Sequence, residues 1–180
     1  MVIAAPLLVE RLALRKARTL VVRTGMGPAR SRRALGRLGD GAVLVAGVGG
    51  GLAPHLRPGD IVVASEVRGP DGAPVPCVNT SSLVEELRGA GLMVHCGPIV
   101  STPRLAARDE VARLAATGAY AVDMESWWLA PPGRPFAVLR AISDTIDQPL
   151  LRPAIVRNGL AALRTLRRAL PAMDAWAADL

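Results

Sequence analysis

The sequence predicts an α/β fold: a three-layer single domain over residues 1–180, with a mostly parallel mixed sheet and helices on both faces. Two observations support this prediction. Short β-branched apolar runs alternate with helix-like segments, as in parallel sheets whose strands are connected by helices. The chain of 180 residues is 51% apolar, which is enough to build one buried core.

Strands are predicted wherever short runs are rich in valine, isoleucine and leucine, at 20–25, 42–47, 60–67, 92–100, 119–123 and 136–143. Helices are predicted between and after them, at 28–38, 80–90, 103–117, 124–130 and 153–178. Thr102-Pro103 has the form of an N-cap followed by proline at the first helical position, and Gly118 is a typical stop. The last helix has apolar residues at near-helical spacing and should cover one face of the sheet.

Composition argues against several classes of protein. The formal charge of +7 comes from arginines spread along the chain, and the densest basic run, 30–37, has no aromatic residues to stack on bases, so no nucleic-acid partner is expected. Cys77 and Cys96 have no metal-ligand spacing, so no metal is expected. No apolar run approaches the ~20 residues of a bilayer span, and no basic stretch precedes the first apolar residues. We therefore expect a cytoplasmic protein without integral membrane contact.

Two glycine-rich turns follow predicted strands. In AGVGGGLAP (46–54) the glycines would let backbone N–H groups approach a phosphate or a sugar, although a tight turn alone would need the same residues. A dinucleotide fingerprint fails here, because Leu52 stands at the third glycine position and Pro54 follows instead of a helix. TGMGPARS (24–31) has the same strand–glycine–helix form. Both turns could meet at one cleft, where open α/β sheets bind ligands.

Acidic residues and one arginine stand at further strand ends. AVDMES (121–126) places Asp123 and Glu125 after a short strand, although Asp123 could equally cap a helix that begins at Met124. Strand alternation in VLRAISDT puts Arg140 and Asp144 on one side. Because a buried arginine needs an anion or a carboxylate, Arg140 either serves a binding site or forms a structural ion pair with Glu10 or Glu125.

Four phrases, GMGPA, GVGGGLAPHLRPGDIVVASEV, AVDMES and VLRAISDT, occur in this order. Together they resemble the nucleoside phosphorylase and methylthioadenosine/adenosylhomocysteine nucleosidase superfamily over about residues 20–147. TGAYAVDMES with an arginine-rich C-terminal helix is most similar to the hopanoid-associated phosphorylases. The resemblance implies cleavage of the N-ribosidic bond of a purine nucleoside, with adenine as the base. Either water or phosphate would attack the sugar, and no cofactor other than phosphate as a co-substrate is expected.

The resemblance also implies roles for individual residues. Asp144 matches the general acid that protonates the purine N7, since an anionic purine is a poor leaving group. Glu125 matches the carboxylate that holds the ribose hydroxyls, and Met124 the residue under the sugar. Arg140 and Glu10 match the pair that positions the nucleophile. The remaining implied contacts are base-binding residues and a phosphate or nucleophile loop: Val122, Asp123 and Ser143 for the base, and Gly25, Gly47, Val48, Gly49 and Gly50 for the loop.

The chain departs from the family pattern at three places. Val48 stands where nucleosidases usually have a serine, the hairpin expected between residues 16 and 20 is nearly absent, and Thr102-Pro103 replaces the aromatic expected after Val100-Ser101. Hydrolysis, phosphorolysis and base selectivity therefore stay open. Trp127 and Trp128 follow Glu125, where packing in the core or between subunits is favoured over base stacking.

The resemblance further implies a homodimer or higher homo-oligomer and, in the subgroup, adenosylhopane as substrate. Without the hairpin, the 5′ side of the ribose would be open, and residues 6–9 would either line that opening or pack in the core. The alternatives are a methylthioadenosine/adenosylhomocysteine nucleosidase and a non-catalytic nucleoside-binding module. Glu125, Arg140 and Asp144 together favour an enzyme.

Overall fold

One mixed sheet organises the structure, a computed structural model that describes residues 1–146 and 155–178. Eight strands lie within these ranges: β1 (Val2–Ala5), β2 (Leu20–Arg23), β3 (Val43–Gly51), β4 (Ile61–Arg68), β5 (Val75–Pro76), β6 (Val94–Ser101), β7 (Ala121–Asp123) and β8 (Phe136–Thr145). Five of the strand pairings are parallel and three are antiparallel. The sheet is therefore mixed and mostly parallel, as the sequence predicts.

Five of the strands pair in a closed ring. β3 pairs with β8, β8 with β4, β4 with β6, β6 with β7, and β7 returns to the carboxyl end of β3. The register shifts between Gly49 and Gly50, where β3 begins to pair with β7 as well as β8. This closure brings the ends of β3, β7 and β8 together.

Seven helices are described: α1 (Leu8–Ala13), α2 (Pro28–Leu35), α3 (Thr80–Gly89), α4 (Arg108–Ala116), α5 (Ser126–Leu129), α6 (Ile155–Arg168) and α7 (Leu170–Ala178). Residues from α3, α6 and α7 form one apolar cluster with Ile3 and Leu44, whereas residues from α2 and α5 form a second cluster with Val2 and Val43. Adjacent strand residues thus pack on opposite faces of the sheet, which gives three layers. In the described ranges no helix is long and apolar enough to cross a membrane.

Two elements near the amino terminus are absent from the sequence predictions. β1 lies between β2 and β3 with all four of its residues buried, and α1 follows it directly. Four residues are too few for a periodic pattern to distinguish a buried strand from another apolar run. The other predicted strands are confirmed, with β3 and β8 extending beyond their predicted ends to Gly51 and Thr145.

The predicted start of the helix at 103–117 is wrong. α4 begins at Arg108 with Ala107 as its N-cap, and the preceding segment starts with a turn in which the Thr102 hydroxyl donates to the Arg104 carbonyl at 2.8 Å. Gly118, with φ +75°, follows the end of the helix as predicted. The predicted C-terminal helix is divided into α6 and α7, because Pro171 has no N–H to donate to a helical hydrogen bond. Positions 153–154 of that prediction lie outside the described residues.

Candidate active site

Arg140 is the centre of a buried ionic cluster. Its side chain has no exposed surface, and its Nε and Nη2 atoms lie 2.9 and 2.8 Å from Asp123 Oδ2. Nη2 also donates to Ser126 Oγ at 3.1 Å and lies 3.4 Å from Glu125 Oε2. Burial alone disfavours the guanidinium cation, but the carboxylates of Asp123, Glu125 and Glu10 raise the pKa of Arg140. The main ion-pair partner is therefore Asp123, which the sequence did not suggest, with Glu125 second.

The Asp123 carboxylate has hydrogen-bond donors around both oxygens. Oδ1 accepts from Ser101 Oγ at 2.5 Å and from the backbone N–H groups of Glu125 and Ser126 at 3.1 Å each. Oδ2 accepts from Arg140 and from the Ser126 hydroxyl. Burial opposes ionisation, but Arg140 and these hydrogen bonds hold the pKa of Asp123 below its ordinary value.

This geometry corrects two predictions for Asp123. Donors within the protein occupy both of its carboxylate oxygens. The side chain therefore has no free oxygen for the predicted binding of the base. It does accept the N–H groups at the start of α5, in the manner of a cap, but the helix begins at Ser126 and not at Met124. Asp123 therefore holds Arg140 and the β7–α5 turn in place.

Glu125 connects this cluster to the second glycine turn. Its Oε1 accepts from the backbone N–H of Gly27 at 3.0 Å, across 98 positions of sequence. Burial raises the pKa of Glu125 to about 7, with Arg140 opposing the shift and Asp123 adding to it. Gly27 was missing from the predicted site residues. The glycine pair in TGMGPARS was the sequence feature that could have indicated Gly27. Both glycines are needed there, because Gly25 and Gly27 have φ values of +88° and +86°, which favour glycine.

Glu10 reaches the same cluster from α1. It is 1% exposed, and its Oε2 and Oε1 accept from the backbone N–H groups of Leu7 at 2.6 Å and Val48 at 2.8 Å. Burial raises the pKa of Glu10, opposed by the charge of Arg140 and by these two N–H groups. Val48 contacts Glu10 through its backbone, so the contact does not require the serine expected at that position.

Gly47 separates Glu10 from Arg140. A Cβ atom at this position would lie 2.6 Å from Arg140 Nη1 and 2.6 Å from Glu10 Oε1, closer than real contacts allow. A side chain at residue 47 would therefore displace the Glu10 carboxylate or the Arg140 guanidinium from its observed position. The sequence predicts both groups at one site, and the structure brings them together there.

The predicted glycine loop is in fact the end of a strand, which corrects its assignment as a set of free backbone donors. Gly47, Gly49 and Gly50 belong to β3, and their backbones pair with β8 and β7. The glycines are needed because neighbouring side chains occupy the space of their Cβ atoms: Arg140 Cβ would lie 3.2 Å from a Cβ at Gly49. Gly25 is likewise structural, since its N–H donates to the Pro6 carbonyl and Arg30 packs against it.

Asp144 is the last acidic group of the site, near the carboxyl end of β8. Its Oδ1 accepts from the Ser143 hydroxyl at 2.7 Å, while a Cβ at Gly50 would lie 3.2 Å from its Oδ2. Burial raises the pKa of Asp144, and the hydrogen bond from Ser143 only partly opposes this. Ser143 thus orients the acid, and no contact of Ser143 with a base is needed to explain its position.

A small pocket of about 80 Å³ opens beside Asp144. It brings together several predicted residues and several that the sequence reasoning missed. The predicted ones are Gly50, Val122, Asp123, Met124 and Asp144, and the others are Thr102, Leu105, Ala106 and Val111. Leu105 is 64% exposed and lies before α4, in a segment that the sequence wrongly predicts to be helical. The sequence prediction therefore did not indicate that Leu105 lines the pocket.

Both tryptophans after Glu125 pack within the subunit, as the favoured alternative predicted. The Trp127 ring packs against Gly69, where a Cβ would overlap it. The backbone N–H of Trp127 donates to Ser101 Oγ at 3.0 Å. Trp128 is buried, with the Arg32 guanidinium 6.0 Å from its ring centroid. Neither residue lines the pocket beside Asp144.

Both cysteines are free thiols. Burial raises the pKa of the Cys77 thiol to about 12, so it stays protonated and unreactive at neutral pH. Across residues 1–146 and 155–178, no group of three or more histidine, cysteine or acidic residues is placed to hold a metal ion.

The sequence and the fold together define an enzyme that cleaves N-glycosidic bonds, of the nucleoside phosphorylase and nucleosidase class. The sequence matches the family model of the phosphorylase superfamily over residues 9–171, and the chain therefore belongs to that superfamily. Among curated proteins, none matches the sequence significantly.

Solved structures of nucleosidases share this fold over nearly the whole chain. A Helicobacter pylori 5′-methylthioadenosine/S-adenosylhomocysteine nucleosidase with butyl-thio-DADMe-Immucillin-A has a TM-score of 0.80 at 16% identity, covering 99% of this chain and 97% of its own. The Neisseria meningitidis enzyme with methylthio-immucillin-A has a TM-score of 0.74 at 21% identity, covering 98% and 97%. Futalosine hydrolase of H. pylori has a TM-score of 0.79 at 18% identity, covering 99% and 97%.

Proposed function

We propose that this protein cleaves the N-ribosidic bond of an adenine nucleoside in the cytoplasm. The observation that carries the proposal is the position of Asp144, a carboxyl of raised pKa in the same pocket as Met124 and a few residues along β8 from the buried Arg140 cluster. The nucleosidases of similar fold, two of them in complex with inhibitors, support this choice of substrate class.

Asp144 is the general acid in this proposal. As the glycosidic bond breaks, negative charge develops on the departing purine, and a proton donated to the ring lowers the barrier. Burial raises the pKa of Asp144 and so favours the protonated form that can donate. Ser143 holds Oδ1, which leaves Oδ2, beside Gly50, available to the base.

Glu125 is the ribose clamp. The Gly27 N–H and Arg140 Nη2 hold its two oxygens from the protein side, and a carboxylate can still accept hydrogen bonds from two hydroxyls. Once Glu125 ionises, above about pH 7, its negative charge would also stabilise the positive charge that develops on the sugar in an oxocarbenium-like transition state. Met124, which lines the pocket, would pack under the sugar.

Glu10 and Arg140 position the attacking group, which we propose is water. Glu10, Asp123 and Glu125 surround one guanidinium, so the cluster would repel a phosphate dianion more than neutral water. The raised pKa of Glu10 suits it to accept a proton from that water. Phosphorolysis is the competing outcome of the test below.

The proposal extends to an apolar 5′ substituent, such as that of adenosylhopane, and to a closed homo-oligomer. Pro6 is buried, so it packs in the protein and does not line an opening. The native mass in solution tests the oligomer.

The test of the function is release of adenine from adenosine, methylthioadenosine, adenosylhomocysteine and a 5′-alkyl adenosine, each with and without phosphate. We expect free ribose derivatives at a rate independent of phosphate. Phosphate-dependent release with a sugar 1-phosphate product would make the enzyme a phosphorylase. Release of no base from any of the four would favour the nucleoside-binding module.

A further inference from the structure

The outer surface of α1 and α6 exposes apolar side chains that soluble surfaces usually cover. Leu8, Val9 and Leu12 of α1 are 46–50% exposed, and Val156 and Leu160 of α6 are 69% and 48% exposed. The two helices pack against each other, while Leu14 and Leu166 point inward to the core. We call this surface the α1–α6 face. Contiguous exposed apolar residues of this kind mark an interaction site.

Two neighbouring grooves on this face are rimmed by positive charge. One, of about 400 Å³, lies between α1 and α6 and is lined by Val9, Leu12, Leu160 and Leu163 together with Arg15, Lys16, Arg164 and Arg167. The second, of about 630 Å³, shares Lys16 and Arg167 and adds Arg18. Among the described residues, Asp174 is the one acidic residue that lines either groove. None of the five cations forms an ion pair with another residue of the described ranges.

Apolar residues surrounded by unpaired arginine and lysine match the boundary of an anionic bilayer. Leucine and valine side chains can enter the region between headgroups and acyl chains, and the cations then lie at the level of the lipid phosphates. Long arginine and lysine side chains suit this position because their alkyl parts stay in apolar surroundings while the charge reaches the headgroups.

Other occupants fit the face less well. A two-fold contact with a second copy would place the five cations of one face against the same five of the other. Nucleic acid would use the charge, but no aromatic residue of the described ranges lines either groove to stack on bases, and the exposed leucines would have no apolar partner.

We propose that the α1–α6 face docks the enzyme reversibly on the surface of a bilayer rich in anionic phospholipid. Leu8, Val9, Leu12 and Leu160 enter the bilayer boundary, and Arg15, Lys16, Arg164 and Arg167 contact the headgroups. Glu10 lies on the buried side of the same helix α1, so docking sets the active site next to the membrane. The inference does not depend on the nucleoside proposed above.

Co-sedimentation of the full chain with vesicles tests the proposal. The vesicles consist of phosphatidylglycerol, of phosphatidylcholine, or of equal parts of both. We expect binding that rises with the phosphatidylglycerol content and weakens in high salt, because salt screens the cations. Equal binding to pure phosphatidylcholine, or no binding to phosphatidylglycerol at low salt, would overturn the proposal.

Matched variants assign the binding to this face. Arg15→Glu with Arg164→Glu, and separately Leu12→Ser with Leu160→Ser, should each lower vesicle partitioning about tenfold or more. The controls make the same changes elsewhere: Arg33→Glu with Arg113→Glu on α2 and α4, and Leu20→Ser with Met93→Ser at other exposed apolar positions. Each variant is checked for folding by circular dichroism.

Equal losses in the face variants and their controls would overturn the assignment. Face-dependent dimerisation without vesicle binding would overturn it as well, in favour of a second copy. Because the readout is partitioning, a failed docking experiment leaves nucleoside cleavage untouched, and a chain without turnover can still bind vesicles.

Discussion

Arg140 Nη2 lies 2.8 Å from Asp123 Oδ2, and both side chains are buried. Removing one partner of a buried pair leaves the other charge uncompensated, which typically costs ~3–5 kcal/mol. We therefore expect Asp123→Asn to lower the free energy of unfolding by about that amount, measured by urea denaturation.

An exposed ion pair provides the control for this variant. Glu66 lies 2.7 Å from Arg68, but both side chains are about one-third exposed. Since exposed pairs contribute ~0–1 kcal/mol, Glu66→Gln should have little effect. Equal losses in the two variants would mean that burial of the Arg140–Asp123 pair does not decide its contribution.

Removing the proposed proton donor should slow the reaction without unfolding the chain. Asp144→Asn keeps the shape of the side chain but cannot donate a carboxyl proton, so we expect kcat to fall ~10²–10⁴-fold. Asp71→Asn, at an exposed position, should keep full activity. Near-normal turnover of Asp144→Asn in a steady-state assay would exclude Asp144 as the acid.

Replacing the proposed ribose clamp should change selectivity between sugars. Glu125→Gln loses the charged acceptor, so its hydrogen bonds to ribose hydroxyls weaken. The ratio of kcat/KM for adenosine over 2′-deoxyadenosine should therefore fall toward one. If the variant keeps the wild-type ratio while its overall rate drops, Glu125 acts on another part of the substrate.

The raised pKa of Glu125 predicts a pH dependence of stability. The folded state holds this proton up to about pH 7, whereas an unfolded glutamate releases it near the ordinary value of 4.5. The folded state thus binds more protons in this window, and its contribution to stability falls as pH rises from about 4.5 to 7. Glu125→Gln should remove that part of the slope, which urea denaturation at several pH values measures. Identical slopes in the variant and the wild type would refute the shifted pKa.

Gly47→Ala tests whether the positions of Glu10 and Arg140 beside Gly47 matter for turnover. The added methyl group would lie 2.6 Å from an atom of each side chain, so one or both must move, and we expect turnover to be lost. Gly89→Ala is the control, since a Cβ there meets nothing within 4 Å, and alanine in a helix should stabilise the chain slightly. Full activity of Gly47→Ala would show that the separation of these groups is not critical.

Much of this molecule follows from local pattern in the sequence. Short apolar runs rich in β-branched residues predict the strands around residues 119–123 and 136–143, and strand geometry places Arg140 and Asp144 on one side of the second. Because successive side chains of a strand point to opposite faces, the face on which each residue lies follows from its neighbours in the sequence. The placement of Arg140 and Asp144 follows from this pattern, whereas the roles of Glu125, Arg140 and Asp144 are what the resemblance to the superfamily implies.

Tertiary structure alone decided which groups meet. Gly27 and Glu125 are 98 positions apart, and Glu10 and Val48 are 38 apart, yet both pairs form hydrogen bonds that hold the site together. The main ion-pair partner of Arg140 is Asp123. The glycine run is part of a strand and not a loop, because β3 pairs with β7 and β8. Periodicity records which face of an element is buried but not which element covers it, because that choice depends on how the whole chain packs.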